Sequence, residues 1–406
     1  MASIIMTLRK TSRIFLWLLG ALLIIAIAGY IWLRNSPYWV GVTLFADDYR
    51  VANFRSMDAV FPFEPVSRSG PVWALETAPR ALPESYGFNG QDLALSAFLE
   101  RTETTGFLVL HQGQIAHESY YLGGDETSQF TSWSVAKSVL SALIGIAIDE
   151  GHIADITDPI ETYVPALAGT AYGAVPIEDA LTMSSGIGFD EDYDNPMSDV
   201  NMLFVSFPMG TPLAETIHGQ DALRPPGEYN NYISSDSIAL GLALEGATGM
   251  STHVYLQSRL WGPMGAEADA FWSTNRAGDV LPLCCLNATL RDYGRFGQLY
   301  LQNGARDGQQ IVPADWVAAS VTPSAPHLEP GDNPASSWTF GYGYHWWIPE
   351  EPQGDYTAIG IWGQYIYVDP VREVVIVKTS ADYHFDDNDH ETIAAFRAIA
   401  RDLAGE

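Results

Sequence analysis

The chain has 406 residues, 47% hydrophobic and 17% charged, which excludes a disordered segment and is enough for one large core or two smaller ones. A formal net charge of −29 opposes phosphate backbones and anionic headgroups, so the composition argues against nucleic-acid binding and electrostatic membrane docking and reads first as solubility. The only cysteines, Cys284 and Cys285, are adjacent, and because a bridge between neighbours is strained they define no disulfide framework.

In chain order, the basic group Arg9, Lys10 and Arg13 precedes the uncharged run IFLWLLGALLIIAIAGYIWL, residues 14–33, which Arg34 closes. About 20 apolar residues suffice for one helical crossing of a bilayer. Ala26, Ile27 and Ala28 before Gly29 resemble a signal-peptidase site, but the apolar run continues past them, so an uncleaved anchor is the preferred reading. Positive charge before the span predicts a cytoplasmic N-terminus, residues 1–13, and an extracytoplasmic (periplasmic) remainder. No cysteine follows the run, which argues against lipid attachment there.

Residues 34–82 are rich in aromatic residues, Pro and Ser without a sustained period and read as an irregular linker that docks on the domain beginning at 83. FNGQDLALSAFLE has helical spacing of Leu93, Leu95, Phe98 and Leu99, and GFLVLHQGQIAHESYYL predicts two strands around Gln112-Gly113. A helix follows in TSWSVAKSVLSALIGIAIDEG. Residues 150–260 read as a largely helical insert, the stretch beyond 335 returns to strands, and ETIAAFRAIARDLA closes the chain as a helix. Strands flanking a helical block predict an α+β domain with its site between sheet and helical lobe.

The helix containing Ser134 and Lys137 carries the chemistry. Residues at i and i+3 share a helix face, and the sequence VLSALIGIAI that follows offers almost nothing polar to pair an ammonium. A desolvated lysine has a lowered pKa and can act as a base toward a neighbouring hydroxyl. With Ser134 in the first turn, unpaired N–H groups and the positive helix end favour the oxyanion formed when that hydroxyl attacks a carbonyl. The competing account is a serine cap beside a snorkelling lysine.

SWSVAKSVLSALIGIAIDEGHI followed by LTMSSGIGFDEDY resembles the β-lactamase-like serine hydrolases with an S-x-x-K motif, and among them most resembles the 6-aminohexanoate-dimer (nylon-oligomer) hydrolases. The resemblance covers residues 82–403. It implies a β-lactamase/DD-peptidase-like fold, an antiparallel sheet flanked by helices plus a mostly helical lobe, here preceded by one N-terminal transmembrane helix. It implies that Ser134 is the acylated nucleophile and Lys137 its base or relay.

The family's tyrosine follows a Pro-Gly turn and precedes a Leu-Gly helix. In RPPGEYNNYISSDSIALG, Pro226-Gly227 and Leu240-Gly241 converge on Tyr232, while Tyr229 fits Y-x-N but stands three residues early. A phenol beside an ammonium is more easily deprotonated, so Tyr232 can pass a proton to the leaving group and later activate water. Ser234 stands where many relatives carry asparagine.

The site strand in TAIGIWGQYIYVDP puts Ala358, Ile359 and Gly360 at the family's third motif, without its cation. That argues against penicillins and D-alanyl peptides, whose carboxylate the cation helps to hold. By the same resemblance the N–H of Ile361 joins that of Ser134 in the oxyanion hole, and Gly360, Ser234 and Tyr193 contact substrate, Tyr193 at the leaving amine.

Glu191, Asp192 and Asp194 could attract a cationic amine, although a solvated acidic loop is the simpler account. Lys378-Thr379-Ser380 imitates a K-T-G triad but reads as the end of the next strand, and HFDDNDH reads as a polar loop without calcium or zinc spacing. In CCLNATLRDYGRFG, Asn287 or Thr289 caps a helix.

The reading is therefore a serine hydrolase of carboxylesterase or amidase type, without metal or cofactor. Its partner is a small-molecule ester or amide, with the membrane reached through the N-terminal helix and no nucleic acid. An acylatable membrane sensor or a β-lactam-recognising protein is the alternative. Oligomeric state and physiological substrate are not legible.

Overall fold

A computed structural model describes residues 2–36 and 38–406, with the side chains of 2–12 and 40 left undescribed. Helix α1 (Ala2–Arg34) contains a 22-residue stretch, Arg13–Arg34, that is long and apolar enough to cross a membrane and is not buried by the domain, its end touching the next helix through Tyr30 on Trp39 and Trp32 on Tyr38. The short α2 (Tyr38–Val42) follows at once.

The expected irregular linker is more structured than its composition suggests. Leu44, Phe54 and Met57 are buried, and Phe63–Val66 forms a strand antiparallel to Ala270–Ser273, so the segment is held by the domain's own core and a sheet edge.

The main sheet has seven strands, all antiparallel: β1 (Thr104–His111), β2 (Gln114–Tyr120), β3 (Gly341–Tyr342), β4 (Trp347–Ile348), β5 (Tyr356–Gly360), β6 (Gln364–Asp369) and β7 (Val374–Ser380), in the order β3-β4-β5-β6-β7-β1-β2. Both faces are covered, which is why runs such as VVIV are continuously apolar. Successive residues divide between two cores: Leu108, Ile366, Val375 and Val377 face one way, Phe107, Val109, Tyr365, Tyr367 and Ile376 the other.

The second face is closed by α3 (Leu95–Arg101) and the C-terminal helix α8 (Phe385–Ala404). Only Leu95 onward of the expected helix in FNGQDLALSAFLE is helical; Gln91–Ala94 pairs instead with Ser85–Phe88 in a hairpin whose turn, Asn89-Gly90, has both residues at positive φ, as a tight I′-type turn requires. HFDDNDH is also a correction: it opens α8 rather than forming a loop, because Asp386 and Asp387 stand in the first turn, where the helix dipole favours carboxylates.

Against the first face lie α7 (Leu290–Leu301) and the helical lobe. A Cβ at Gly297 would fall 2.6 Å from Val375 and 2.8 Å from Ile366, so glycine there lets helix and sheet approach closely. Thr289 caps α7 by accepting from the Asp292 N–H, whereas Asn287 lies in a strand. Cys284 and Cys285 are joined to each other, a bridge between neighbours that closes no long loop and so is no framework, with Cys285 at φ 71°. The lobe's principal helices are α4 (Val135–Asp149), α5 (Asp199–Met209) and α6 (Ser234–Thr248).

Candidate active site

Ser134 is the N-cap of α4 and follows Trp133, whose φ of 41° is sparsely populated for a bulky residue. The surroundings over-determine that turn. Trp133 is fully buried, with Phe45, Phe54 and Phe204 at centroid distances of 5.8, 5.2 and 6.2 Å. One turn into the helix, the Lys137 ammonium donates to Ser134 Oγ at 2.8 Å and to the Leu283 carbonyl at 2.9 Å, with Ser234 Oγ at 3.4 Å.

The expectation that nothing polar would surround Lys137 is thus corrected: its partners come from chain segments about 100 and 150 residues away, invisible to helical spacing. Burial nonetheless dominates and lowers the Lys137 pKa to about 7, with the Glu191 carboxylate pulling it partly back up.

Tyr232 stands just before α6 with its ring beneath the ammonium, 4.9 Å from Lys137 Nζ to the centroid, and stacked on Trp347 at 5.4 Å. Its phenol pKa is raised by burial first and by Glu191 second, the Ser134 hydroxyl opposing them. The anticipated easy deprotonation is not what this geometry gives, since the ammonium lies over the ring face and burial outweighs it. Tyr229, the alternative, is half-buried under the Arg224 guanidinium, 4.2 Å from its ring centroid, and does not reach the site.

On the opposite side, β5 ends against Ser134. A Cβ on Gly360 would lie 3.0 Å from Ser134 N and 2.6 Å from Ser132 O, so only glycine permits this approach. Ile361 follows and lines the pocket, and the chain then turns through Trp362 and Gly363 at φ 62° and 78°. Ile359 and Ile361 line the cavity, whereas Ala358 is fully buried in the core. Lys378 lies two strands away in β7, buried, 3.4 Å from the Gly363 carbonyl, which agrees with its reading as the end of the next strand.

The pocket has a volume of about 440 Å³ and is walled by Trp338, Trp347 and Phe385 together with Glu191, Asp192, Asp194, Asp386 and Asp389. None of the described residues lining it is Lys, Arg or His. Burial raises the Asp386 pKa to about 6 and that of Asp389 to about 7, so crowded carboxylates share the site. Tyr193 lines the wall and donates to Glu191 at 2.7 Å. Ser234, expected at the substrate, does not line the cavity; its hydroxyl donates to Glu191 at 2.6 Å and its N–H at 2.8 Å, which caps α6.

Two supports were missed in the sequence. By sequence Glu191 belongs to an acidic loop, solvated or attracting a cationic amine, yet it turns inward to hold Ser234 and Tyr193. His345 was not singled out at all: its carbonyl accepts from Ser138 on α4 and its Nε2 lies 3.2 Å from Ser237 on α6, so it ties the two helices that carry the candidate residues. Burial depresses the His345 pKa to about 3. Only its place in the aromatic run FGYGYHWWI marked it as unusual. Among the described residues no group of three His, Cys, Asp or Glu is arranged to hold a metal ion.

A seven-stranded antiparallel sheet with a buried Ser-x-x-Lys helix between it and a helical lobe defines the β-lactamase class of serine hydrolase folds. The Beta-lactamase family model matches residues 94–399, and the chain belongs to that family. A 6-aminohexanoate-dimer hydrolase from Paenarthrobacter ureafaciens is 30% identical over 331 residues, 80% of this chain and 81% of that one. A provisionally assigned 6-aminohexanoate-dimer hydrolase from Bacillus anthracis superposes with a TM-score of 0.81 at 24% identity, over 89% of this chain and 96% of that one. A penicillin-binding protein from Bacillus halodurans superposes at 0.58 with 16% identity, over 75% and 99%.

Proposed function

We propose that the protein hydrolyses linear amides or esters through an acyl-enzyme on Ser134. Neutral Lys137 takes the Ser134 proton as Oγ bonds to the carbonyl carbon, and the oxyanion sits between the N–H groups of Ser134 and Ile361. The tetrahedral intermediate collapses by breaking the bond to the amine or alkoxide, which receives a proton through Tyr232. Water then attacks the acyl carbon, giving its proton to the same pair and releasing the acid and the Ser134 hydroxyl.

The observation that carries this reading is the 2.8 Å contact between Lys137 Nζ and Ser134 Oγ, made by a lysine whose burial brings its pKa to about 7. A cavity walled by five carboxylates and no cation supports a substrate bearing an amine rather than a carboxylate near the scissile bond, and disfavours β-lactams. The relatives named for 6-aminohexanoate-dimer hydrolysis support a linear amide. The apolar stretch of α1 and the basic residues before it support a membrane anchor with the hydrolase domain outside.

The test is mass spectrometry of the protein quenched during turnover of a p-nitrophenyl ester and of 6-aminohexanoate dimer. An acyl adduct on Ser134, absent with Ser134→Ala, is expected; full hydrolysis by Ser134→Ala refutes the mechanism.

A further inference from the structure

A second, larger cavity of about 1090 Å³ lies where α1 hands the chain to the domain, slightly above the usual size of small-molecule sites. Tyr38, Gly41 and Val42, four to eight residues beyond α1, form one wall, and Phe204 and Val205 of α5 form the other. Its lining is mostly apolar, with Asp58, Asp194, Asn201 and Arg276 the polar exceptions, and the apolar side chains are open to solvent: Val42 is 65% exposed, Val205 51% and, beside the cavity, Met209 75%. Soluble surfaces rarely gather such side chains without an apolar partner.

Two observations connect this groove to the chemistry. Tyr193 and Asp194 line both cavities, so the groove and the catalytic pocket share a wall. Phe45, on the groove floor, stacks on Trp133 and Trp362, the residues flanking Ser134 and Ile361. At one end the groove meets the segment that would emerge from a bilayer, and at the other it abuts the proposed oxyanion hole.

We infer that this groove is a subsite for a linear aliphatic chain, and that the substrate is a long-chain acyl amphiphile presented from the bilayer surface with its carbonyl at Ser134. The inference rests on the proposed hydrolase activity and anchor and adds the substrate class to them. Apolar walls recognise the chain, while the carboxylates beyond Tyr193 receive the polar, amine-bearing end.

The experiment uses the full chain in phosphatidylcholine nanodiscs with p-nitrophenyl esters from acetyl to dodecanoyl. Each methylene buried in the groove raises kcat/KM by up to about fourfold, so the octanoyl ester exceeds the acetyl ester at least tenfold. Gly41→Phe places a ring in the groove, where a Cβ meets nothing within 4 Å, and Val205→Arg puts a charge on its other wall. Each variant lowers the octanoyl-to-acetyl ratio at least tenfold in the same lipid, which cancels partitioning of the ester into the disc. A flat wild-type series, or the wild-type ratio in both variants, overturns the inference while leaving hydrolysis at Ser134 intact.

A second measurement is independent of turnover. Ser134→Ala protein is titrated with a dansyl-labelled dodecyl amide and read by energy transfer from tryptophan. Gly41→Phe in that background weakens binding at least tenfold, and equal affinity overturns the subsite whether or not the protein hydrolyses esters.

Discussion

Phe45 lies parallel to Trp362, ring centroids 5.5 Å apart and planes 9° from coplanar, and it also stacks on Trp133 at 5.8 Å. One side chain from the segment between α1 and the domain thus braces two left-handed backbone turns, each adjoining an N–H group assigned to the oxyanion hole. Phe45→Ala removes both stacks, each worth about 0.5–1.5 kcal/mol beyond its buried area. The expected result is a kcat for p-nitrophenyl acetate lowered about tenfold with KM changed less than twofold, measured by steady-state kinetics beside a circular-dichroism melt. An unchanged kcat in a folded variant would mean that the turns hold without the brace.

On the proposed mechanism the lowered pKa of Lys137 sets the acid limb of activity. Because the base must be neutral, kcat/KM should rise with pH through about 7, falling tenfold per unit below it. The same shift has a stability sign: between about 7 and the ordinary lysine value the unfolded chain binds the extra proton, so stability rises with pH across that window. Lys137→Met should therefore melt higher than wild type at pH 7, with the gap narrowing toward pH 10. A pH-independent gap in calorimetry would refute the buried-base assignment.

Glu191 raises the Lys137 pKa through its charge while holding Ser234 and Tyr193. Glu191→Gln keeps an acceptor for the Ser234 N–H but removes the charge, so the acid limb moves to lower pH, by about half to one unit. A purely structural role for Glu191 would lower kcat without moving the limb, and the kcat/KM profile distinguishes the two.

Tyr232→Phe retains the stack on Trp347 and loses only the hydroxyl, which should cost about a hundredfold or more in kcat. Tyr229→Phe should stay within about twofold. The opposite ranking in ester hydrolysis would assign the proton relay to the wrong tyrosine.

Five carboxylates around the cavity predict electrostatic attraction of cationic substrates. For an amide carrying a free amine, kcat/KM should fall several-fold between about 0.02 and 0.3 M salt as screening grows, while a neutral ester shows little change. Equal salt dependence for both substrates would remove the argument for an amine-bearing substrate.

Much of this protein was legible in one dimension because the relevant physics is local. The length and uniform apolarity of α1, the i, i+3 spacing of Ser134 and Lys137, and the β-branched, aromatic and apolar runs of β1, β6 and β7 each concern residues within a turn or a strand of one another. The register that picked Tyr232 over Tyr229 was likewise a matter of distance from a turn and a helix. Tertiary structure alone decided what surrounds the lysine, because the Leu283 carbonyl, Ser234 and Glu191 reach it from three other chain segments and no periodicity encodes their meeting. It also made Glu191 a cap for α6, and it turned a segment without sustained period into a brace beside Ser134, since what an aromatic ring stacks on depends on which surface it meets, not on the residues beside it in the chain.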